Sequence, residues 1–394
     1  MRRRLLRLLI AALLLGASGT AEAEIEIGFA TPLTGPYALT GARHRIAVEM
    51  AVGALNQNGG VLGEKVSLNA VDDACGLEQS VAAAHQLVAA GVRAVIGHLC
   101  SHSSLLAAGI YETADVLMIS PSSTHPRLTE EGRQNVFRLT GRDDHQGALA
   151  GDFLAARWTG NKIAILHDDS TYGEGLASET RKQLHLRGVK EAIYDSYRPN
   201  EQDYGELAAR LKKAGIAALY IGGYGPDAAR ILLAARARGS DLQLVSGDAL
   251  GMDEFWTIAG RAGTGAVFTR RDNPASLPEA ADVLAGFRAR GLSPRSGGLT
   301  SYAAVQVWAQ AVERAGTVDL RGVAKMLRRG RFDTVLGEVA FDDKGDLTDG
   351  AWQWQIWLGG SYQPLGEPSD DAGRAPGGPR SARDAPQRTA VDPS

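Results

Sequence analysis

Short apolar runs alternate with amphipathic stretches along this chain. Residues 25–30, 66–71, 92–96 and 116–119 read as strands, and the pattern begins again with 162–167, 192–194, 217–222 and 243–246. Helix-like segments lie between them, the first over about 43–56 after a Gly/Pro loop. The next carries Leu77, Val81, Ala84 and Val88, spaced by four, three and four, and Gly91 ends it. Repeated β-α-β units build parallel sheets covered by helices on both faces. Two such runs predict an α/β protein of two similar lobes, with a boundary near residues 140–143.

In open parallel sheets, ligands bind beyond the carboxyl ends of the strands. The residues that follow each run therefore carry the candidate chemistry. In the first set these are 31–37, the stretch Leu99-Cys100-Ser101-His102-Ser103-Ser104, and 120–124. In the second they are 168–173, Gly223-Tyr224-Gly225 and Gly247-Asp248-Ala249. One lobe offers hydroxyls and helix N-termini, which suit a carboxylate. The other offers tyrosines and acidic groups, which suit a cation and an apolar body. A zwitterion held between the lobes satisfies both. Plainer roles compete for the same residues. Ser103 or Ser104 serves as N-cap of a helix starting at Leu105. Asp168 and Asp169 are solvated or capping acids, Tyr172 and Tyr224 ordinary half-buried aromatics, and His98 a structural histidine.

The termini change the picture. Arg2, Arg3, Arg4 and Arg7 precede an apolar run over 8–15, and Ala21-Glu22-Ala23 forms a small-x-small cleavage site. That is the form of a secretory signal peptide cut before Glu24; the run is far short of the ~20 residues that span a bilayer. Residues 367–394 are rich in Pro, Gly, Asp and Arg and are expected to be disordered. The length between suits two domains. A formal net charge of −3 argues against nucleic acid or an anionic membrane as partner. Cys75 and Cys100 are the only cysteines, and in an exported chain they most simply form one disulfide. The segment AVIGHLCSHSS (94–104) admits three readings: a nucleophile loop, a metal site or a ligand cradle. Zinc needs more ligands than this stretch offers, so no metal is expected. G-x-S-x-G, H-E-x-x-H and G-x-x-x-x-G-K-[ST] are all absent from the sequence, and "GGYGPD" (222–227) fails the dinucleotide pattern, so no cofactor is expected.

Long blocks then carry a resemblance. DDACGLEQSVAAAHQLVAAGVRAVIGHLCSHSS (72–104), LMISPSSTHPRLT (117–129), IAILHDDSTYGEGLA (163–177), YIGGYGPDA (220–228), SYAAVQ (301–306) and DDKGDL (342–347) resemble the leucine/isoleucine/valine-binding proteins of bacterial ABC importers. The likeness runs over essentially all of residues 25–357. It implies a type I periplasmic binding protein fold, two doubly wound parallel-sheet lobes joined by a three-stranded hinge. The crossovers fall near 140–143, 269–273 and 347–350. The implied organisation is a signal peptide over 1–23, an N-terminal lobe of 24–141 with 272–348, a C-terminal lobe of 142–271 with 349–366, and the tail.

The resemblance also implies a role for each loop. Ser101 offers a hydroxyl and N–H to the ligand carboxylate, as does Thr124, with Ser122 and Ser123 beside it. Tyr172 and Tyr224 flank the ligand, and Asp248 takes the ammonium. By this likeness the segment 94–104 is a ligand cradle stapled at its base by Cys75–Cys100, and the nucleophile and metal readings fall away. The implied protein is a monomer in the periplasm that captures an aliphatic amino acid, without catalysis, for a membrane-embedded ABC permease. Two departures bear on specificity. The family usually has Glu where Asp248 stands and tends to have an aromatic residue where Thr40 stands; both changes leave more room and predict a preference broader than Leu, Ile and Val. Tyr37 filling the gap is the alternative. Other functions kept open are a sensor of amides or small neutral metabolites, and a secreted serine hydrolase using His102 or His125.

Overall fold

The computed structural model describes residues 24–271, 277–292 and 298–366. The expected signal peptide, the tail and part of the second crossover lie outside the described residues. Strands β1 (Glu24–Thr31), β2 (Lys65–Asp72), β3 (Ala94–Gly97), β4 (Leu117–Ser120) and β5 (Val136–Arg138) form a first sheet in the order β2-β1-β3-β4-β5, parallel throughout. Side chains alternate across it, as strand geometry requires. Ile25, Ile27 and Phe29 enter one apolar layer with helices Ala38–Gln57 and Gly298–Ala315, whose Trp308 is fully buried. Val95, Met118 and Val136 enter the other, against helices Leu77–Ala90 and Ser101–Thr113.

The second sheet repeats the plan. β6 (Ile163–His167), β7 (Ile193–Ser196), β8 (Ala218–Gly222), β9 (Gln243–Ser246) and β10 (Val267–Arg271) run parallel in the order β10-β9-β8-β6-β7. After β10 the chain returns to the first core. Val283, Leu284 and Phe287 of helix Ala281–Ala289 and Leu327 of helix Leu320–Arg329 belong to its apolar layer. A two-stranded ribbon follows, β11 (Arg331–Thr334) with β12 (Gly337–Ala340). Finally β13 (Trp352–Leu358) and β14 (Ser361–Pro364) add an antiparallel edge to the second sheet. The chain thus passes three times between the lobes built on these sheets.

A buried ion cluster ties two of those passages together. Arg138, fully buried at the end of β5, donates from Nε to Asp346 Oδ1 at 2.7 Å, and Arg142 reaches Asp346 Oδ2 at 2.9 Å. Thr129 donates its hydroxyl to the same carboxylate at 2.9 Å. A buried cation is tolerated because its partner and further hydrogen bonds are in place.

Three local expectations change. The first helix begins at Ala38 rather than near residue 43, after a tight turn over Gly35–Tyr37. The helix ended by Gly91 buries Ser80, Ala83, Ala84 and Leu87, while Leu77 is 63% exposed. Ser80 holds a core position because its hydroxyl is satisfied there, donating to Gly76 O at 2.5 Å and sharing a hydrogen bond with the Ser103 hydroxyl at 2.7 Å. The third helix begins at Ser101, so neither Ser103 nor Ser104 is its N-cap.

Candidate functional site

In each lobe the strand order reverses beside the first strand, at β1/β3 and at β6/β8, and the loops leaving those strands face one another. Gly97 closes β3 with φ 151°, and a Cβ there would lie 2.5 Å from Ala30 O, so only glycine lets β1 and β3 approach at this point. A cavity of about 830 Å³ lies between the lobes. Ser101, Ser122, Thr124, Tyr172, Tyr224 and Asp248 all line it, with Leu99 and Thr40.

Ser123, expected among them, faces the lobe interior. Its N–H donates to Ser120 Oγ at 3.0 Å, and its hydroxyl is shared among Ser104 Oγ (2.7 Å) and the carbonyls of Leu99 (3.2 Å) and His98 (3.3 Å). These bonds hold the loop that presents Ser122 and Thr124. Behind it His98 bonds Asp73 through Nδ1 at 2.6 Å and Tyr111 through Nε2 at 3.1 Å, both fully buried. His98 is therefore structural. His102 bonds Cys75 O at 2.7 Å, and His125 Nδ1 accepts from the Arg127 N–H at 3.2 Å. Burial, with Arg127 and Arg138 nearby, pushes His125 down to about 4. In these bonds neither imidazole addresses a serine hydroxyl.

Cys75 and Cys100 form a disulfide with Cα atoms 5.8 Å apart. It fastens the loop after β2 to the residue that precedes helix Ser101–Thr113, whose first turn opens on the cavity. The unpaired N–H groups and dipole of such a turn favour an anion.

The second lobe contributes acids and aromatics. Asp248 follows β9 and accepts from the Tyr172 hydroxyl at 2.9 Å and from Gln146 Nε2 at 3.1 Å. Burial raises its carboxyl above the ordinary range, and the two hydrogen bonds oppose the shift. Asp168 is neither solvated nor a cap: it is 3% exposed and accepts from Ser170, which itself caps helix Thr171–Leu186. Among the described residues no group of three or more His, Cys, Asp or Glu side chains is arranged to hold a metal ion.

Direct contacts bridge the lobes at the rim. Thr40 donates its N–H and hydroxyl to the two oxygens of Glu254, at 2.9 and 2.6 Å. Arg43 pairs with Asp253 at 2.8 Å. The Tyr37 ring lies 4.6 Å from that of Tyr224, which lies 5.1 Å from Tyr172. Thr40 is thus a tie across the cleft, and Tyr37 supplies an aromatic ring three residues earlier. Gln146, Glu254 and Tyr37's pairing are absent from the sequence-based site. Gln146 sits inside a helix in no motif, and Glu254 acts through a residue 214 positions away.

The family profile described as Periplasmic binding protein matches residues 24–356. A Leu/Ile/Val-binding protein homolog of Brucella suis is 39% identical over 347 residues, covering 88% of this chain and 94% of that protein. A leucine-, isoleucine-, valine-, threonine- and alanine-binding protein of Pseudomonas aeruginosa is 39% identical over 349 residues, covering 88% and 93%. Among solved structures, a leucine-binding protein of Thermotoga maritima superposes with TM-score 0.80 at 27% identity, covering 87% of this chain and 98% of that one. An ABC transporter substrate-binding protein of Desulfitobacterium hafniense, in complex with Leu, gives 0.71 at 28%, covering 87% and 100%. The fold is therefore that of the type I periplasmic binding proteins.

Proposed function

The chain belongs to the periplasmic binding protein family, and on that premise we propose that it captures an aliphatic amino acid between its lobes and delivers it to an ABC import permease. One observation carries the reading. Asp248, in no ion pair among the described residues, shares a cavity with the first turn of helix Ser101–Thr113 and with Thr124. A carboxylate facing a set of hydroxyls and N–H groups matches the two ends of a zwitterion.

In this reading Ser101 and Thr124 hold the ligand carboxylate, and Asp248, oriented by Tyr172, holds the ammonium. Leu99, Tyr224 and the Tyr37 ring behind it form the apolar side of the pocket, with Ser122 at its edge and Ser123 supporting the loop. The lobes are residues 24–141 with 272–348 and 142–271 with 349–366. The rim contacts of Thr40 and Arg43 belong to the closed form. Export by the N-terminal segment would place a monomer in the periplasm. No chemical step is assigned: ligand enters and leaves unchanged. The breadth in the name of the Pseudomonas relative supports a preference that extends to small neutral amino acids.

The test strips bound ligand by partial unfolding, refolds the protein, and titrates Leu, Ile, Val, Ala, Thr, Phe and Gln by calorimetry. Ester and amide substrates are followed in parallel for turnover. Saturable binding of aliphatic amino acids without hydrolysis is expected. Discrimination among them should be modest, since one methylene in an apolar pocket is worth about 1–3 kcal/mol. Turnover of either substrate, or no binding of any aliphatic amino acid, overturns the reading.

A further inference from the structure

Asp143 opens helix Asp143–Trp158, immediately after the first passage between lobes, and its side chain is fully buried. Its Oδ1 accepts from Gln146 Nε2 at 3.1 Å, and the same nitrogen donates to Asp248 Oδ1 at 3.1 Å. The amide cannot be turned over. Its Oε1 accepts from the Asp248 N–H at 2.8 Å and from the Thr269 hydroxyl at 2.5 Å, and a nitrogen there would face an N–H. One NH₂ group therefore holds two carboxylates side by side, one hydrogen to each.

The surroundings leave this pair short of positive charge. Asp143 Oδ2 is buried with no hydrogen-bond partner. The charged groups that act on Asp143 are Asp248 and Asp144, which repel a second negative charge, and Arg138, already committed to Asp346. Thr124 adds a hydroxyl. On the other side Asp248 has Tyr172 and the more distant Arg270. Burial first, and then Asp248, push the Asp143 carboxyl well above the ordinary range. Two buried carboxylates bridged by a single amide do not both ionise readily unless a cation joins them.

We propose that Asp143 is the second carboxylate of the ammonium subsite, keeping one proton in the pair while the cleft is empty and releasing it to solvent when the ligand ammonium settles on Asp248. The inference rests on the amino-acid reading of the cleft. The arriving positive charge replaces the proton's, so charge in the buried site is conserved. The Asp143 N–H also donates to Thr124 O at 3.0 Å, so the residue touches both charge-binding subsites at the hinge.

The sign follows from linkage. A site that loses a proton on binding gains affinity as pH rises, until the empty site has lost that proton too. Leucine is titrated by calorimetry in two buffers of different ionisation enthalpy, which reads the protons released. Wild type should release a substantial fraction of one proton near neutral pH. Asp143→Asn should still bind leucine but release almost none, with roughly tenfold lower affinity near pH 8, equivalent to a one-unit shift, and convergence with wild type toward about pH 5. Gln146→Met, which keeps both acids and breaks the bridge, should shrink the release as well. Buffer-independent binding by wild type, or equal release from Asp143→Asn, overturns the proposal. Undiminished leucine affinity in Asp248→Ala would instead overturn the amino-acid reading beneath it.

Discussion

Two buried polar networks flank the cleft, and they differ in whether they are complete. In the first lobe Asp73, His98 and Tyr111 bond in a row, and Ser104, Ser120 and Ser123 close around the carbonyls of His98 and Leu99. Donors there meet acceptors within the protein. In the second lobe Asp143, Gln146, Tyr172 and Asp248 place more acceptor oxygens than donors in one spot, and one oxygen is left bare. A finished network stiffens the loop that it supports. An unfinished one carries a standing cost that a ligand of the right charge removes. The first lobe's serines thus divide into those that build the wall and those that face the cavity, while the second lobe's acids are left with an unsatisfied oxygen.

The contrast breaks most sharply at Asp248. Asp248→Ala removes the acceptor of the second network and leaves the ligand ammonium unpaired in a closed cleft, a change that typically costs ~2–5 kcal/mol. Amino-acid affinity by calorimetry should fall at least tenfold while the circular dichroism spectrum is unchanged. Unchanged affinity removes Asp248 from the site.

The complete network should respond in stability rather than in binding chemistry. The disulfide closes a loop with a sequence separation of 25. In the chain-entropy model this is worth about 3–4 kcal/mol. Cys75→Ala with Cys100→Ala should lower the unfolding midpoint by several degrees, and the denatured, unreduced wild type should show no titratable thiol. Two reactive thiols, or an unmoved midpoint, would contradict the staple.

The smallest effect concerns the rim that brings the two networks together. Glu254→Ala leaves the Thr40 N–H and hydroxyl without their acceptor, a loss of about 1–3 kcal/mol of closed-state stability. Because Glu254 does not itself line the cavity, the change should appear as faster amino-acid release in stopped flow, with association little altered. A slower release, or an unchanged one, means that the rim contact does not hold the lobes shut.

Much of this was legible along the chain. The alternation of short apolar runs with helical stretches located eight of the ten parallel strands, missing β5 and β10. The rule that sites follow strand ends led to the loops, and within them the family resemblance singled out Ser101, Thr124, Tyr172, Tyr224 and Asp248, all at one cavity. The errors cluster where a side chain's partner is distant. Ser123 and Ser122 are neighbours of equal chemistry, and only the direction of one loop residue sends one hydroxyl inward and the other to the cleft. Leu77 fits an apolar stripe yet is exposed, because hydrogen bonds from Ser80 let a polar residue take the core position.

The sequence by itself determined the lobes' α/β plan, the disulfide-forming pair and the kinds of group at each strand end, because periodicity, composition and strand direction are local properties. Tertiary structure alone decided that Gln146 joins Asp143 to Asp248, that Tyr37 packs on Tyr224, and that Thr40 meets Glu254. Those partners lie on separate helices and loops, and no spacing in the chain encodes a distance that two sheets and a hinge must close.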